Sequence, residues 1–271
     1  MNGSLSPVPA VDTHAHVFHA GMRLAADAWH RPDHEAPLED YLACLDQAGV
    51  DRAVLAAISL FEDADDYALA ATAAHPRLRT TVIADPSIPF SRLREMNRLG
   101  AVGIRLQWRS TPVIPDLDAP EWRRLLRTIA DLGWHVELHD NGARLPASIA
   151  RIERSGAPLV VDHFGRPDRA LGARCAGFQA VLRAVERGHC WVKMSADFRV
   201  GSDAMVRELV ADLLAHAGAD RLFWGSDWPF AGAEQEISYA QTIARFESLV
   251  PDPSCRDAIH RTAADFYFGS R

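Results

Sequence analysis

Trp134-His135-Val136-Glu137-Leu138-His139 and, one helical segment later, Pro158-Leu159-Val160-Val161-Asp162-His163 are the stretches from which the fold is read. Each is a short apolar run that stops at a histidine. Residues 134–138 and 158–161 have the length and aliphatic content of buried strands. Residues 146–154 between them read as a helix, with Gly156 placed to end it. Such a unit makes its two strands parallel, because the crossover helix carries the chain back to the starting edge.

The alternation continues on both sides. Before this unit, apolar runs at 10–17, 52–58, 79–84 and 102–106 read as strands; after it come 190–194 and 221–224. Helical segments separate them at 38–48, 65–74, 118–132, 176–187 and 202–216, and another runs from a cap at Ser91 to Leu99. Gly49, Gly100, Gly133 and Gly188 stand where four of these should stop. From residue 236 the chain reads as helical with a break at Pro251 and Pro253. Eight strand–helix units in 271 residues predict a distorted (β/α)8 TIM barrel, one α/β domain over 1–271. An open doubly wound sheet is the alternative; no G-x-G-x-x-G turn follows the first strand to support a dinucleotide fold.

With 48% hydrophobic and 24% charged residues the chain can bury one large core in water. The net charge of −7, without a long Lys or Arg run, argues against nucleic acid as a partner and leaves room for a locally basic pocket. None of the four cysteines forms a C-x-x-C pair, so neither a zinc knuckle nor a redox motif is indicated. No basic-then-apolar leader and no apolar stretch of about 20 residues occurs, so a cytoplasmic protein with no membrane partner is expected. The loop at 18–37 is long enough to be a lid or a homodimer contact.

In a (β/α)8 barrel the chemistry lies at the C-terminal ends of the strands. The first strand ends Val11-Asp12-Thr13-His14-Ala15-His16, and residues two apart share a face, so His14 and His16 project together. Turned inward they suit one divalent ion; H-x-H alone also describes a pair of loop histidines. The fifth strand ends at His139, the sixth at His163, and the eighth in Gly225-Ser226-Asp227-Trp228-Pro229. Each has a bland reading singly, whereas four strands that all end in ligand-type residues point to one site. His30 and His34, in the long first loop, have the reach to meet a substrate. Trp108 and Trp228 adjoin strand ends and are read as pocket walls, the other tryptophans as packing. Lys193, within the seventh apolar run, needs either an interior site or a charge partner.

The segments V-D-T-H-A-H at 11–16, D-H-F-G-R-P at 162–167 and W-G-S-D-W-P at 224–229 resemble the amidohydrolase superfamily over nearly the whole chain. Within it they are similar to the group of 2-pyrone-4,6-dicarboxylate lactonase, 4-sulfomuconolactone hydrolase and the sugar lactonases. Gly103-Ile104-Arg105-Leu106 and Val192-Lys193-Met194-Ser195 fit the fourth and seventh strands of that group. The resemblance implies hydrolysis of small lactones, a metal held by His14, His16 and His139 or His163, and Asp227 as the base. The pyrone branch works without a tightly held metal and lacks a histidine ending the fifth strand. His139 therefore tilts the expectation to Zn2+ or Mn2+, with metal-independent catalysis as the other branch. Arg105 and Arg199 match arginines that bind substrate carboxylate, while Phe230-Ala231-Gly232 lacks the polar groups the pyrone enzyme has there.

The expected reaction is hydrolysis of a carboxylated lactone. His163 polarises the carbonyl and Asp227 is the base, while the metal-ligand candidates are His14, His16, His139, His163 and Asp227. Arg105 and Arg199 fork onto the carboxylate, with Arg109 and Arg166 as weaker candidates. A metal-dependent decarboxylase of an aromatic or muconate acid, and a non-catalytic small-anion binding protein, are the alternatives.

Overall fold

The computed structural model describes residues 8–269; the outermost residues of the expected 1–271 domain lie outside them. Eight strands alternate with helices: β1 (Val11–Ala15), α1 (Leu38–Ala48), β2 (Arg52–Leu55), α2 (Ala64–Ala74), β3 (Leu78–Val82), α3 (Phe90–Arg98), β4 (Ala101–Gln107), α4 (Pro120–Asp131), β5 (His135–His139), α5 (Leu145–Glu153), β6 (Leu159–Val161), α6 (Ala176–Glu186), β7 (Cys190–Ser195), a one-turn α7 (Asp197–Val200), α8 (Asp203–Ala217) and β8 (Leu222–Gly225). Two further helices, α9 (Tyr239–Leu249) and α10 (Pro253–Phe268), follow. Every ladder from β1–β2 to β7–β8 is parallel and joins neighbours in sequence. This is the (β/α)8 barrel that the alternation predicts. No helix among the described residues is long and apolar enough to cross a membrane.

The seam between β1 and β8 closes differently. Instead of a long ladder it has a bridge between Ala15 and Trp228, backbone bonds from Asp227 N to His14 O and from His16 N to Trp228 O, and Thr13 Oγ1 donating to Trp224 O. The strands come so close that a side chain on Gly225 would meet His14 Cβ at 2.6 Å. Asp12 pins this seam. Its Oδ1 accepts from the backbone N–H of Ser226 and His14, and its Oδ2 from the hydroxyls of Tyr41 on α1 and Tyr239 on α9. Burial pushes the Asp12 carboxyl up from its ordinary value.

Helix ends follow local chemistry. Gly49 closes α1 at φ 67, and Ser238 with Gln241 forms a reciprocal cap on α9. Ser91, expected to cap α3, lies inside its first turn: Pro89 is the N-cap and the helix starts at Phe90. Most of the core lies between the sheet and the helices. A second core of Val11, Val54, Val102, Val160 and Phe223 is plugged by Tyr267 of α10 and closes the N-terminal end of the barrel.

Candidate active site

The opposite end holds the polar residues. His14, His16, His139, His163 and Asp227 all lie at C-terminal strand ends and are buried. His14, His16 and His163 are brought together there around one carboxylate oxygen. Asp227 Oδ1 lies 3.7 Å from His14 Nε2, 3.9 Å from His16 Nε2 and 3.8 Å from His163 Nε2. His16 Nδ1 sits 2.8 Å from the carbonyl oxygen of Ala56, so Nδ1 carries the proton and Nε2 presents its lone pair. Burial, with His14 and Arg105 next, holds the His16 imidazolium form well below its ordinary range; burial with His14 and His139 does the same to His163. Neutral imidazoles are the form that ligates metal.

The backbone is strained where these groups sit. His163, Phe164, Gly165 and Arg166 all have positive φ, and so does Asp227 at φ 65. A left-handed turn costs about 1–2 kcal/mol per non-glycine residue, and packing holds it in place. Phe164 is buried, and a side chain on Gly165 would meet Leu145 Cδ1 at 2.9 Å. That turn delivers His163 inward, its Nδ1 2.8 Å from Ser195 Oγ. The D-H-F-G-R-P motif is the local sequence of this turn.

His14, His16 and Asp227 offer ligand atoms within 4.8 Å of one another, a spacing that suits one divalent ion. His139, expected as a third histidine ligand, lies outside this group. Its Nε2 accepts from Arg166 Nε at 3.4 Å, and its Nδ1 is 3.5 Å from Arg105 Nη2. Burial and the charges of Arg105 and Arg166 hold His139 well below its ordinary range. A second group, His14, Asp162 and His163, lies against the buried charges described next.

Arg105, Glu137, Asp162 and Lys193, from four consecutive strands, form a balanced ionic layer in the barrel interior. Arg105 Nε lies 2.9 Å from Asp162 and 3.0 Å from Glu137; Lys193 Nζ donates to Glu137 Oε2 at 2.6 Å. Burial alone would raise both carboxyls. Arg105, His14 and Lys193 hold Asp162 well below its ordinary value, and Lys193 with His135 lowers Glu137. Asp162 Oδ1 is 3.4 Å from His14 Nδ1, the carboxylate–histidine arrangement that turns Nε2 toward Asp227. Lys193 thus has the interior charge partner its sequence position demands. Arg105, expected to grip substrate, is 2% exposed and spends Nε and Nη1 on Asp162, Glu137 and Ala57 O, leaving only Nη2 among the histidines.

A cavity of about 360 Å³ opens above this layer, and His16, His139, His163, Arg105 and Asp227 line it. Four more arginines, Arg109, Arg166, Arg169 and Arg199, stand at its wall. Arg199 donates through Nε to Asp227 Oδ2 at 2.8 Å. Among the described residues, no carboxylate lies within 4.0 Å of Arg109, Arg166 or Arg169. Burial and the charge of Arg109 pull Arg166 down to about 10, so it stays cationic at neutral pH. Neither Trp108 nor Trp228 lines the cavity. Trp108 packs edge-on against Trp122, and Trp228 stacks on Tyr41 at the seam, because the barrel needs both indoles as core. Trp29 and Phe198 supply the aromatic wall instead. His30 bonds Glu234 at 3.0 Å and His34 lies beside Phe18; neither lines the cavity. Sequence reasoning missed Glu137 and Asp162, although a charge inside an apolar run was the available signal for Glu137.

A (β/α)8 barrel with two histidines from β1, one from β6 and an aspartate after β8 converging in a C-terminal cavity defines a class of barrel hydrolases. The amidohydrolase family model matches residues 11–269, and the chain belongs to that family. It is 28% identical to a 4-sulfomuconolactone hydrolase of Rhizobium radiobacter, over 83% of this chain and 77% of that protein. A crystal structure of a candidate 2-pyrone-4,6-dicarboxylic acid hydrolase from Pseudomonas putida superposes with a TM-score of 0.89 at 38% identity, covering 97% of this chain and 99% of that one. Another such candidate, from Acinetobacter baumannii with citric acid bound, has a TM-score of 0.91 at 28% identity, covering 96% and 99%. The protein is a hydrolase whose homologues act on lactones.

Proposed function

We propose that the protein hydrolyses a small lactone bearing carboxylate groups. The observation that carries this reading is the cavity itself, in which Asp227 Oδ1 lies among three histidines and Arg109, Arg166 and Arg169 stand at the wall without a carboxylate partner among the described residues. In a site of this kind guanidinium groups recognise planar anions by paired hydrogen bonds. Arg109, Arg166 and Arg169 would hold the acid groups, and Trp29 and Phe198 the flat face of the ring.

Asp227 is the base. Arg199 occupies Oδ2, so Oδ1 is the oxygen left to take a proton from water. With the Ser195 hydroxyl donating to Nδ1, His163 carries its proton on Nε2 and turns it into the cavity, where it polarises the lactone carbonyl. His14, His16 and Asp227 would hold a divalent ion, Zn2+ in the first instance and Mn2+ in the second. Bound there, the ion supplies positive charge that eases deprotonation of water and stabilises the developing oxyanion. Asp162 orients His14 and Ala56 orients His16 for that role.

The test is acid release from a panel of carboxylated lactones and neutral sugar lactones, with the purified protein's metal content measured before and after chelation. Turnover of a carboxylated lactone that disappears in Asp227→Asn supports the reading. Silence across the panel, with CO2 released from aromatic or muconate acids, would replace it with decarboxylation.

A further inference from the structure

We infer that His30 and Glu234 form a latch across the mouth of the cavity, and that both are positioning residues for Trp29, whose indole sets the preference for a flat substrate ring. The latch stands on its own geometry; its effect on the substrate rests on the lactonase reading above. The loop between β1 and α1 closes at its base, where Phe18 N donates to Ala36 O and Ala36 N to Phe18 O. Its first half is tied to the segment after β2 by bonds from Ala25 N to Leu60 O and from Glu62 N to Arg23 O. Beyond Ala28 these ties stop. Among the described residues, the one hydrogen bond by which residues 29–34 leave this loop runs from His30 Nε2 to Glu234 Oε1, at 3.0 Å.

Glu234 lies on the opposite lip, in the loop between β8 and α9. Its Oε1 also accepts from Gly232 N at 2.7 Å, so one oxygen folds its own loop and receives the loop across the mouth. Burial alone would raise the Glu234 carboxyl; the backbone N–H groups of Gly232 and Glu234, with His30, outweigh it and hold the carboxyl below its ordinary value. A carboxylate can only accept, so His30 Nε2 carries the proton. The two side chains are 24% and 23% exposed, which shields their bond from water better than a surface pair. Trp29 is 48% exposed and has no such shelter. A side chain on Gly232 would lie 4.0 Å from both Trp29 Cζ3 and His30 Nδ1, so the two rings flank that glycine. Trp29 lines the cavity from one lip, and Ala231, Gly232 and Ala233 line it from the other. A half-exposed indole has few contacts of its own to choose its orientation, so the anchored neighbour His30 chooses it. An indole face held in this way stacks on a flat unsaturated ring and gains little from a puckered one. The reach that the sequence gives His30 is thus spent on Glu234, not on substrate.

Steady-state kinetics of His30→Phe, Glu234→Ala, the double variant and His30→Gln test this on a flat unsaturated lactone and a puckered saturated one. With the latch broken, KM for the flat lactone should rise about three- to tenfold, the size of one aromatic stack, and the loss should fall on KM rather than kcat. KM for the puckered lactone should move less. The double variant should be no worse than the worse single one, because either change removes the same bond. His30→Gln keeps an N–H and should recover most of the loss. Additive effects of the two single changes, equal shifts on both lactones, or a loss confined to kcat overturns the specificity role. Trp29 fluorescence judges the latch without turnover, each protein being compared with the same protein carrying Trp29→Phe. Acrylamide quenching of Trp29 should increase in His30→Phe and Glu234→Ala, up to about twofold because the wild-type indole is already 48% exposed, and its emission anisotropy should decay faster on the nanosecond scale. Unchanged quenching or unchanged anisotropy overturns the latch. If wild type opens no lactone, the proposed function fails by itself, and the fluorescence still decides whether His30 and Glu234 hold Trp29.

Discussion

The two ends of the barrel are built on opposite principles. The floor is an apolar plug in which Phe223, Tyr267 and valines from four strands fill the space with no ionic pair among them. The mouth carries the positive-φ run His163–Arg166, a balanced four-charge layer and a wall of arginines. A floor of that kind contributes stability by burial, about 25 cal/mol per Å² of apolar surface. The mouth holds groups in conformations that are unfavourable in isolation, which the surrounding packing enforces. Stability and activity should therefore separate along the barrel axis.

Asp227→Asn tests the separation hardest. Activity should fall by about 10³-fold, as for loss of a general base, while the melting temperature moves little. A large drop in melting temperature would mean that the mouth is structural too. Phe223→Ala is the converse: it should lower unfolding free energy by about 3–5 kcal/mol in a denaturant titration and leave kcat of the folded protein close to wild type. Loss of kcat there would show that the floor transmits to the site.

Asp12→Ala probes the seam between the two regimes. It strips the acceptor from the buried Tyr41 and Tyr239 hydroxyls and from two backbone N–H groups, one of them next to Asp227. We expect about 3 kcal/mol lost in stability and, in the same protein, a kcat lowered about tenfold. A change confined to one readout assigns Asp12 to that regime alone.

The smallest effect concerns Asp65 on α2, which accepts from Ile83 N at 2.7 Å. Burial pushes its carboxyl up to about 7. The folded value lies above the unfolded one of about 3.9, so the folded state binds the proton more tightly. Stability is then greater at low pH and declines as pH rises from about 4 toward 7. Asp65→Asn should remove that decline, about 2–3 kcal/mol between pH 5 and 8, and leave kcat unchanged because Asp65 does not line the cavity. An equal decline in the variant would assign it to other groups.

Much of this was legible before the structure. The eight strands fall within a few residues of where apolar runs and glycine stops place them, since period and turn chemistry are local. His14, His16, His163 and Asp227 follow from one rule, that barrel chemistry sits at C-terminal strand ends. The boundary of α3 was less accessible, because Pro89 and Ser91 are both competent to start it and packing chose between them.

Sequence alone determined which residues would gather: strand order and a two-residue repeat decide which side chains face one mouth. Only the tertiary structure decided what each one does there. It drew Arg105 into the ionic layer with Glu137 and Asp162, set His139 between two guanidiniums, turned Trp108 and Trp228 into the core, and paired Arg199 with Asp227. The reason is one of range. Direction along a strand is set by the backbone within two residues, whereas the partner of a buried charge is set by groups tens of residues away, among which burial requires that each charge find its match.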